Sequence, residues 1–485
     1  MMSTVQVANL PSDDPIGVSS HLEGSTMRTT TTTTMPAHTS TSTSTSTSTP
    51  PTTSTGRSSS RRTGQNHTMM DQPAAQSTPV GADVYRHART ANVERSIVDE
   101  RPYLPGLDVK VFQPETAAHV VERVLHLTPH AWKELQVTPV TGGNTNTLFR
   151  VSGIQPQHYH GHGPLGNRHR NHQEQYTRDL PSCSDTSSSR NYDSQRPDSV
   201  LVRVFGGHGM IDRDVETATF AALSKVGIAP PYFGRFGNGR IEGWKPMRTL
   251  QIREMGIPNI SKGIATCLGH LHAHFHVPSE LRQAHDPNKP TMWTQLYAWL
   301  QQALQSKFQN DRDAHRALTL NLTQLKNDLR WLQESVVPST AKVGFCHNDL
   351  LAANILWTDA TQEIQFIDFE YGGVNYFSFD IANHFNEYAG GTDGSGVPNY
   401  DWFPSESQQA TFVTHYLRAK TGQEPNHGEI QVLLTEIHAF LMANHLYWGL
   451  WAVNQAATEG CHGFDYLLYA THRIRQYQYI KNRQV

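Results

Sequence analysis

Apolar residues occur along this chain in two spacings, which predict where strands and helices lie. In the first part, short apolar runs bounded by Gly, Asn and Pro predict strands, and apolar positions three to four residues apart predict helices. The predicted strands are 135–140, 147–151, 200–205 and a hairpin within 232–244, and the predicted helices are 117–127 and 212–226. This part therefore has the pattern of a small sheet with a few helices.

From residue 261 onward the helical spacing dominates. Three short apolar runs interrupt it, and a polar, turn-like segment separates the last two of them. These predicted strands are 343–346, 354–357 and 364–369, and the predicted helices include 293–304, 317–332 and 437–453. We therefore expect a larger, mostly helical second part that contains a small hairpin.

Two segments show neither spacing. Residues 1–98 are rich in Ser and Thr, and residues 155–198 are rich in His, Arg, Ser and Asn. Both contain too few apolar residues to offset the entropy lost on ordering, so we expect a disordered tail and a disordered insertion between two strands. Alternating histidines in the insertion suggest metal capture, but no carboxylate or cysteine completes a compact ligand set, which disfavours it.

The composition narrows the function classes. The chain has 485 residues and a formal net charge of −3, so it lacks the overall positive charge of proteins that bind nucleic acid or membrane surfaces. Its 4 cysteines are widely spaced, which suits a reducing compartment. No run approaches the roughly 20 apolar residues of a membrane span. We expect a soluble, cytoplasmic protein that acts on a small substrate and binds no nucleic acid.

The strongest chemical signal lies in the hairpin region of the second part. Asp349 follows His347 and Asn348, Asn354 comes after it, and Asp368 ends the next predicted strand. In phosphoryl transfer one carboxylate orients the acceptor hydroxyl, while a second carboxylate and an amide hold Mg²⁺ on the nucleotide phosphates. Asp349 is placed for the first role, and Asn354 and Asp368 for the second. A chance match is the alternative, but Asp and Asn rarely border buried strands without a function.

These motifs resemble those of the choline/ethanolamine kinase family. The resemblance covers about residues 105–154 and 199–485. It implies an α/β (α+β), protein-kinase-like two-lobed fold, with a small N-terminal β-sheet lobe at 105–244 and a larger helical C-terminal lobe at 245–485. The matching segments are HNDLLAANIL (347–356), IDFEY (367–371), FDIANHFNEYAG (379–390), WGLW (448–451) and FDYLLYA (464–470).

A small polar turn between two predicted strands has the form of a loop that covers phosphates with its backbone N–H groups. An ordinary hairpin turn is the alternative, and the resemblance favours contact with the nucleotide. It further implies that Arg203 contacts the phosphates, that Glu216 holds Arg203 in place rather than being a solvated helix carboxylate, and that the segment around Glu242 lies near adenine. The residues assigned to ATP are Gly142, Gly143, Asn144, Asn146, Arg203, Glu216 and Glu242.

The resemblance places the acceptor in the second lobe. Asp380 is expected to brace the catalytic loop, and Glu387 to bind the ammonium group of the acceptor. Trp448 and Trp451 lie three residues apart on one helix face, which usually means core packing, but beside a cation they can form a cation–π wall. The further candidates are Tyr371 and Tyr469 for the aromatic wall and Glu370 as an additional Mg²⁺ ligand.

The acceptor chemistry distinguishes two alcohols. Choline has no N–H donor and requires a full aromatic cage, whereas the ammonium group of ethanolamine has three donors and requires carboxylate or carbonyl acceptors. Choline-specific members of the family carry a tyrosine where Thr392 stands, so the resemblance favours ethanolamine as substrate, with ATP and Mg²⁺ as cofactors. Choline kinase, an aminoglycoside-type phosphotransferase and a catalytically silent binding protein are the alternatives, and a homodimer stays open.

Overall fold

The computed structural model describes residues 101–141, 146–159, 196–206 and 211–484. The predicted tail, the residues 142–144 of the predicted phosphate loop and most of the predicted insertion lie outside these ranges. All described residues belong to one compact unit.

The first part of the described chain forms one six-stranded sheet with two helices. The strand order is β1-β5-β6-β4-β3-β2, antiparallel except for the short parallel pair of the first and fifth strands. The elements in chain order are β1 (Tyr103–Leu104), α1 (Glu115–Val124), β2 (Gln136–Val140), β3 (Asn146–Ser152), β4 (Ser199–Phe205), α2 (Arg213–Lys225), β5 (Tyr232–Phe236) and β6 (Gly239–Gly243).

Burial explains the central place of β4 in this sheet. Val200, Val202 and Val204 alternate along β4 and are almost completely buried, as expected for a strand with a neighbour on each side. One apolar face of α1 packs on the same core, through Val121 and Val124 among others. The apolar residues of α1 and most of those of the sheet therefore form a core of their own.

The second part is mostly helical. Its strands form two small sheets, β10-β9-β7 and β11-β8. The elements are β7 (Arg248–Thr249), α3 (Pro258–His274), α4 (Thr291–Gln305), α5 (Asp311–Leu318), α6 (Leu322–Trp331), β8 (Val343–Cys346), β9 (Ile355–Thr358), β10 (Glu363–Phe366), β11 (Gly373–Tyr376), α7 (Phe377–Glu387), α8 (Glu406–Thr421), α9 (His427–Glu459) and α10 (Tyr466–Gln484).

The 33-residue helix α9 is the centre of this lobe. Its middle is buried on all sides, because α7 and α10 pack against it and α4 covers a further face. Phe220 and Leu223 of α2 belong to the same large core, so this helix of the sheet lobe is anchored on the helical lobe. No helix within the described ranges is long and apolar enough to cross a bilayer.

Two predicted boundaries are wrong. The predicted helix 317–332 is broken, because Asn321 adopts a left-handed conformation with φ of 48° that ends one helix before α6 begins. The first residues of the predicted insertion are also ordered. Pro156–His158 form a helical turn, and the buried ring of His158 bonds the carboxylate of Glu134 at 2.9 Å. An apolar pattern cannot reveal this polar anchor.

Candidate active site

The loop that carries Asp349 follows β8 and is braced from below. Asp380 on α7 is fully buried, and its two carboxylate oxygens accept hydrogen bonds from the backbone N–H groups of His347 at 2.8 Å and Asn348 at 2.7 Å. The ring of His347 is bonded to the carbonyl oxygen of Ile367 at 2.9 Å, which ties this loop to the end of β10. The predicted role of Asp380 as a brace is confirmed.

The β9–β10 hairpin brings the other predicted acidic-site residues to this loop. The side-chain amide of Asn354 donates to the carbonyl oxygen of Asp349 at 2.8 Å and to its carboxylate at 3.1 Å. Asn354 immediately precedes β9, and Asp368 follows the end of β10 in a left-handed conformation with φ of 64°. The loop and strand-end positions expected from the sequence are therefore observed, whereas the chemical roles of the three residues stay predictions.

The site is strongly acidic. Burial raises the pKa of Asp349 well above its usual range, and the charges of Glu387, Asp368 and Glu370 add to this effect. Burial, with the charge of Asp368, likewise raises the pKa of Glu370 to about 6. Carboxylates that raise one another's pKa favour a bound cation. Two carboxylates and an amide oxygen are also the hard oxygen ligands that Mg²⁺ prefers, so Asp368, Glu370 and Asn354 fit this ion.

The sheet lobe contributes a guanidinium group to the same site. Arg203 on β4 is 3 % exposed and bonds the carboxylate of Asp368 at 3.2 Å and that of Glu242 at 2.7 Å. Burial lowers its pKa, but the surrounding carboxylates outweigh burial and hold the pKa above its usual value. Arg203 therefore stays charged and faces the predicted metal ligands from the opposite lobe.

The predicted pairing of Glu216 with Arg203 is wrong. Glu216 on α2 instead bonds Arg213 at 2.8 Å and Arg240 at 2.7 Å, and the carboxylate that bonds Arg203 is Glu242. Arg240 on β6 is completely buried and bonds Glu216, the carboxylate that the resemblance assigns to Arg203. Arg240 and Arg203 also bond the same oxygen of Glu242. The Glu242 side chain thus braces two arginines, while contact of its segment with adenine stays a prediction.

Two further contacts join the lobes at the acidic site. Arg213, the first residue of α2, bonds Glu370 at 3.1 Å. The side-chain amide of Asn146 lies 3.5 Å from the same Glu370 oxygen. Asn146 was expected in the turn, but it is the first residue of β3 and pairs with Phe205. Sequence reasoning missed Arg213, because its partner lies far away in the chain.

The predicted aromatic residues of the acceptor pocket lie together. The ring of Trp448 contacts those of Tyr371 at 5.3 Å and Trp451 at 5.5 Å between centroids, edge to face. The indole N–H of Trp451 donates to the hydroxyl of Tyr371 at 3.0 Å. Two rings that sequence reasoning did not single out extend this group: Tyr466 contacts Trp451, and Phe464 contacts both Tyr466 and Tyr469.

Glu387, the last residue of α7, is buried next to this group. One of its carboxylate oxygens bonds Arg473 at 2.9 Å, and the other has no hydrogen-bond partner within the described part of the chain. Burial raises the pKa of Glu387, although Arg473 opposes the effect. Arg473 also donates to the hydroxyl of Tyr469 at 2.8 Å. Sequence reasoning missed Arg473, whose spacing of four residues from Tyr469 on one helix was the available signal.

Comparisons with known proteins identify the family of this chain. A sequence model of the choline/ethanolamine kinase family matches residues 137–478. A probable ethanolamine kinase from Arabidopsis thaliana is 32% identical over 288 residues, which are 59% of this chain and 73% of the relative. Probable choline kinase 1 from the same plant is also 32% identical, over 282 residues, 57% of this chain and 77% of the relative.

Solved structures share the fold. An ethanolamine kinase from Plasmodium vivax superimposes with a TM-score of 0.59 at 22% identity, covering 79% of this chain and 93% of that structure. A choline kinase from Cryptosporidium parvum gives a TM-score of 0.56 at 21% identity, covering 76% and 95%. The two-lobed, protein-kinase-like α/β fold predicted from the sequence is confirmed. Because the family model spans most of the described chain, including both lobes, the chain belongs to the choline/ethanolamine kinase family.

Proposed function

We propose that this kinase transfers the γ-phosphoryl group of ATP to the hydroxyl group of ethanolamine. The observation that carries this choice is the buried carboxylate oxygen of Glu387 that has no hydrogen-bond partner among the residues the structure describes. A primary ammonium group offers three N–H donors to such an oxygen, whereas the quaternary ammonium group of choline offers none. A buried acceptor without a donor is costly, and a primary amine removes that cost.

In this proposal the ammonium group and the hydroxyl group of the acceptor lie at opposite ends of a short pocket. Glu387 is close enough to Asp349 for its charge to raise the pKa of that carboxyl group. Ethanolamine is only two carbons long, so an ammonium group held by Glu387 places the hydroxyl group near Asp349. Asp349 then orients the hydroxyl and accepts its proton.

The remaining predicted residues serve the nucleotide. Asn354, Asp368 and Glu370 are proposed to hold Mg²⁺, which supplies neutralisation of the phosphate charge when it is bound. When ATP binds, Arg203 is proposed to bond the phosphate oxygens in place of the Asp368 carboxylate. Gly142, Gly143 and Asn144, which lie outside the described residues, are proposed to bind the phosphates through their backbone N–H groups.

Phosphorylation of choline is the second candidate. The rings of Tyr371, Trp448 and Trp451 form part of a wall suited to a cation without N–H donors. Against it, Thr392 supplies no ring at the position where, by the family resemblance, choline-specific members carry a tyrosine. We infer that ethanolamine is preferred and that the product phosphoethanolamine feeds phosphatidylethanolamine synthesis by the CDP-ethanolamine route in the cytoplasm.

The test is steady-state ATP-dependent phosphorylation of both alcohols by the wild type and the variant Glu387→Gln. We expect a higher kcat/KM for ethanolamine, and a rise of the ethanolamine KM of about 10- to 100-fold in the variant, because a buried charged hydrogen bond is lost. The choline KM should change less. Glu406→Gln, on the exposed first turn of α8, is the matched control.

Three other outcomes would redirect the assignment. A higher kcat/KM for choline would keep the kinase chemistry and reject the Glu387 argument. ATP binding without turnover of either alcohol would favour a different acceptor or a silent binding protein. Thr392→Tyr, which adds the missing ring, should shift the ratio toward choline, and an unchanged ratio would exclude this position as a specificity determinant.

A further inference from the structure

A continuous chain of hydrogen bonds runs from the surface of the helical lobe to the loop that carries Asp349. The Lys420 ammonium group donates to the Tyr416 hydroxyl at 3.2 Å, and this hydroxyl lies 2.9 Å from Nδ1 of His272. Nε2 of His272 lies 3.0 Å from Asp380, the carboxylate that holds the backbone of His347 and its neighbour. Only the lysine is partly exposed, while the other members are buried.

The packing of two helices brings these groups together. Gly269 allows α8 to approach α3 closely, because a Cβ atom there would lie 2.6 Å from the backbone oxygen of Tyr416. A second connection supports the first. The Lys420 ammonium group lies 3.6 Å from the ring centroid of Phe377, and this ring stacks on His272 with 4.5 Å between centroids. Lys420 is thus connected to His272 both through the Tyr416 hydroxyl group and across the Phe377 ring.

An ammonium group can only donate, so Lys420 donates to the Tyr416 oxygen. We assign the single hydroxyl hydrogen of Tyr416 to Nδ1 of His272, because this ring nitrogen is the acceptor that lies beside the hydroxyl group. His272 is then neutral, and its Nε2–H donates to Asp380. Burial lowers the pKa of His272, and Lys420 lowers it further, while Asp380 opposes both. A neutral His272 adds one hydrogen bond to Asp380 but no positive charge, so the negative charge of the carboxylate stays available to the two loop N–H groups.

We propose that Lys420, Tyr416 and His272 are positioning residues of this kinase, which hold Asp380 in the state that fixes the Asp349 loop. Loss of the Lys420 charge, by substitution or by acylation of its amine, allows His272 to take up a second proton. A charged His272 forms an ion pair with the Asp380 carboxylate. This ion pair weakens the hydrogen bonds from the loop N–H groups to the same carboxylate. The effect on turnover rests on the proposed role of Asp349, whereas the effect on His272 does not.

The surroundings of Lys420 are consistent with this role. Burial lowers the pKa of Lys420 to about 8, with Cys346 and Glu436 opposing and Lys342 supporting the effect, so its amine is charged at neutral pH. Burial raises the pKa of the Cys346 thiol, which therefore stays protonated. His272, Cys346 and Asp380 lie close enough to hold a metal ion, but both nitrogens of the imidazole and both oxygens of the carboxylate already have hydrogen-bond partners.

The direct test measures His272 itself. The full chain and the variant Lys420→Met, which keeps the aliphatic stem over Phe377, are labelled with ¹⁵N-histidine and titrated by NMR between about pH 5.5 and 8. We expect the neutral Nε2–H form throughout in the wild type. The variant should show a higher His272 pKa, as expected for removing one nearby positive charge. Arg418→Met, on the same helix but paired with Glu424, is the matched control.

Loop and activity measurements follow the same variants. In Lys420→Met, hydrogen exchange of the His347 and Asn348 amides should accelerate toward the acidic end of the titration, and kcat should fall there several-fold with the KM values unchanged. His272→Gln, whose amide can still donate to Asp380, should keep slow exchange, whereas His272→Leu should not. An unchanged His272 pKa in Lys420→Met, or equal exchange in the Gln and Leu variants, would overturn the proposal. These two readouts need no turnover, so they remain decisive if the proposed substrate is wrong.

Discussion

Among single residues, Asp349 is the one whose change should affect turnover most. Asp349→Asn keeps the shape and the contact with Asn354 but removes the group proposed to accept the hydroxyl proton. We expect kcat to fall by about 100- to 10,000-fold with little change in the KM for ATP, because a positioned base contributes about that much. Steady-state kinetics measure this. Asp359→Asn, with a side chain 77% exposed on the neighbouring β9–β10 hairpin, should behave like the wild type, and a fully active Asp349→Asn would exclude a catalytic role.

The sequence predicted single residues well where their partners are close in the chain. Asp349 and Asn354 lie on adjoining segments, so spacing alone places them together. Glu387 and Arg473 are 86 residues apart and meet only because α7 and α10 both pack on α9. The Glu216 partner was predicted wrongly for a related reason. Two arginines, from β6 and from the start of α2, were available to that carboxylate, and a one-dimensional pattern cannot rank them.

The contact between α3 and α8 gives a prediction at the scale of elements. Gly269→Ala would place a Cβ atom 2.6 Å from the Tyr416 oxygen and 2.8 Å from Cβ of Ala419. We expect a loss of about 1–3 kcal/mol in the free energy of unfolding from overpacking, although Ala in a helix interior is otherwise favoured over Gly by about 1 kcal/mol. Urea unfolding measures it. Gly428→Ala, whose Cβ atom would meet only a flexible Asn426 side chain, is the control, and a stabilised Gly269→Ala would contradict the close approach.

A second prediction concerns the link between α2 and the helical lobe. His285 accepts or donates a hydrogen bond with Thr219 of α2 at 2.8 Å, and burial lowers its pKa to about 4. Between about pH 6.5 and pH 4, His285 binds a proton in the unfolded chain but not in the folded chain. The free energy of unfolding therefore falls as the pH falls through this range. From pH 7 to 5 this residue should account for about 2 kcal/mol of that loss.

The variant His285→Gln keeps a polar partner for Thr219 but does not titrate. Its loss of stability between pH 7 and 5, measured by urea unfolding at both values, should be smaller than that of the wild type by about the same 2 kcal/mol. His427→Gln, at the exposed start of α9, should show the full wild-type loss. Equal losses in all three proteins would mean that His285 is accessible to protons in the folded state.

Elements were predicted where their pattern was long or strictly alternating. The apolar pattern of β4 fits only a strand, and that of the middle of α9 fits only a helix. The break between α5 and α6 depends on the left-handed conformation of Asn321, which apolar spacing does not report. The turn at Pro156–His158 is held by the hydrogen bond between His158 and Glu134 and by a backbone bridge between Leu127 and Tyr159, and both contacts need residues distant in sequence.

For the whole molecule, the residue pattern predicted a first part with a small sheet and a larger, mostly helical second part, and the family resemblance implied that these are two lobes. The described residues form two apolar cores, and the larger core also includes Phe220 and Leu223 of α2. The contacts that join the lobes were not predictable, since they are ion pairs between groups far apart in the chain. Arg203 with Asp368, and Arg213 with Glu370, connect the sheet lobe to the proposed metal ligands.

This arrangement predicts how the nucleotide changes the stability of the whole chain. ATP with Mg²⁺ would bind only the folded protein and occupy the acidic residues that the arginines now contact. A ligand at one hundred times its Kd should therefore stabilise the fold by about 2.7 kcal/mol, seen as a higher Tm. Removing Mg²⁺ with a chelator should abolish most of the rise, because ATP alone brings its phosphates next to Asp368 and Glu370 without a neutralising ion.

The variant Asp368→Asn distinguishes the contribution of Mg²⁺ to the Tm rise from that of ATP. The variant should lose the Mg²⁺-dependent part of the Tm rise, since an amide is a weaker ligand than a carboxylate for this ion. Asp393→Asn, on the exposed turn after α7, should keep the full rise. If ATP raises the Tm equally with and without Mg²⁺, in both the wild type and Asp368→Asn, the acidic residues between the lobes do not hold the metal, and the Mg²⁺ site must lie elsewhere.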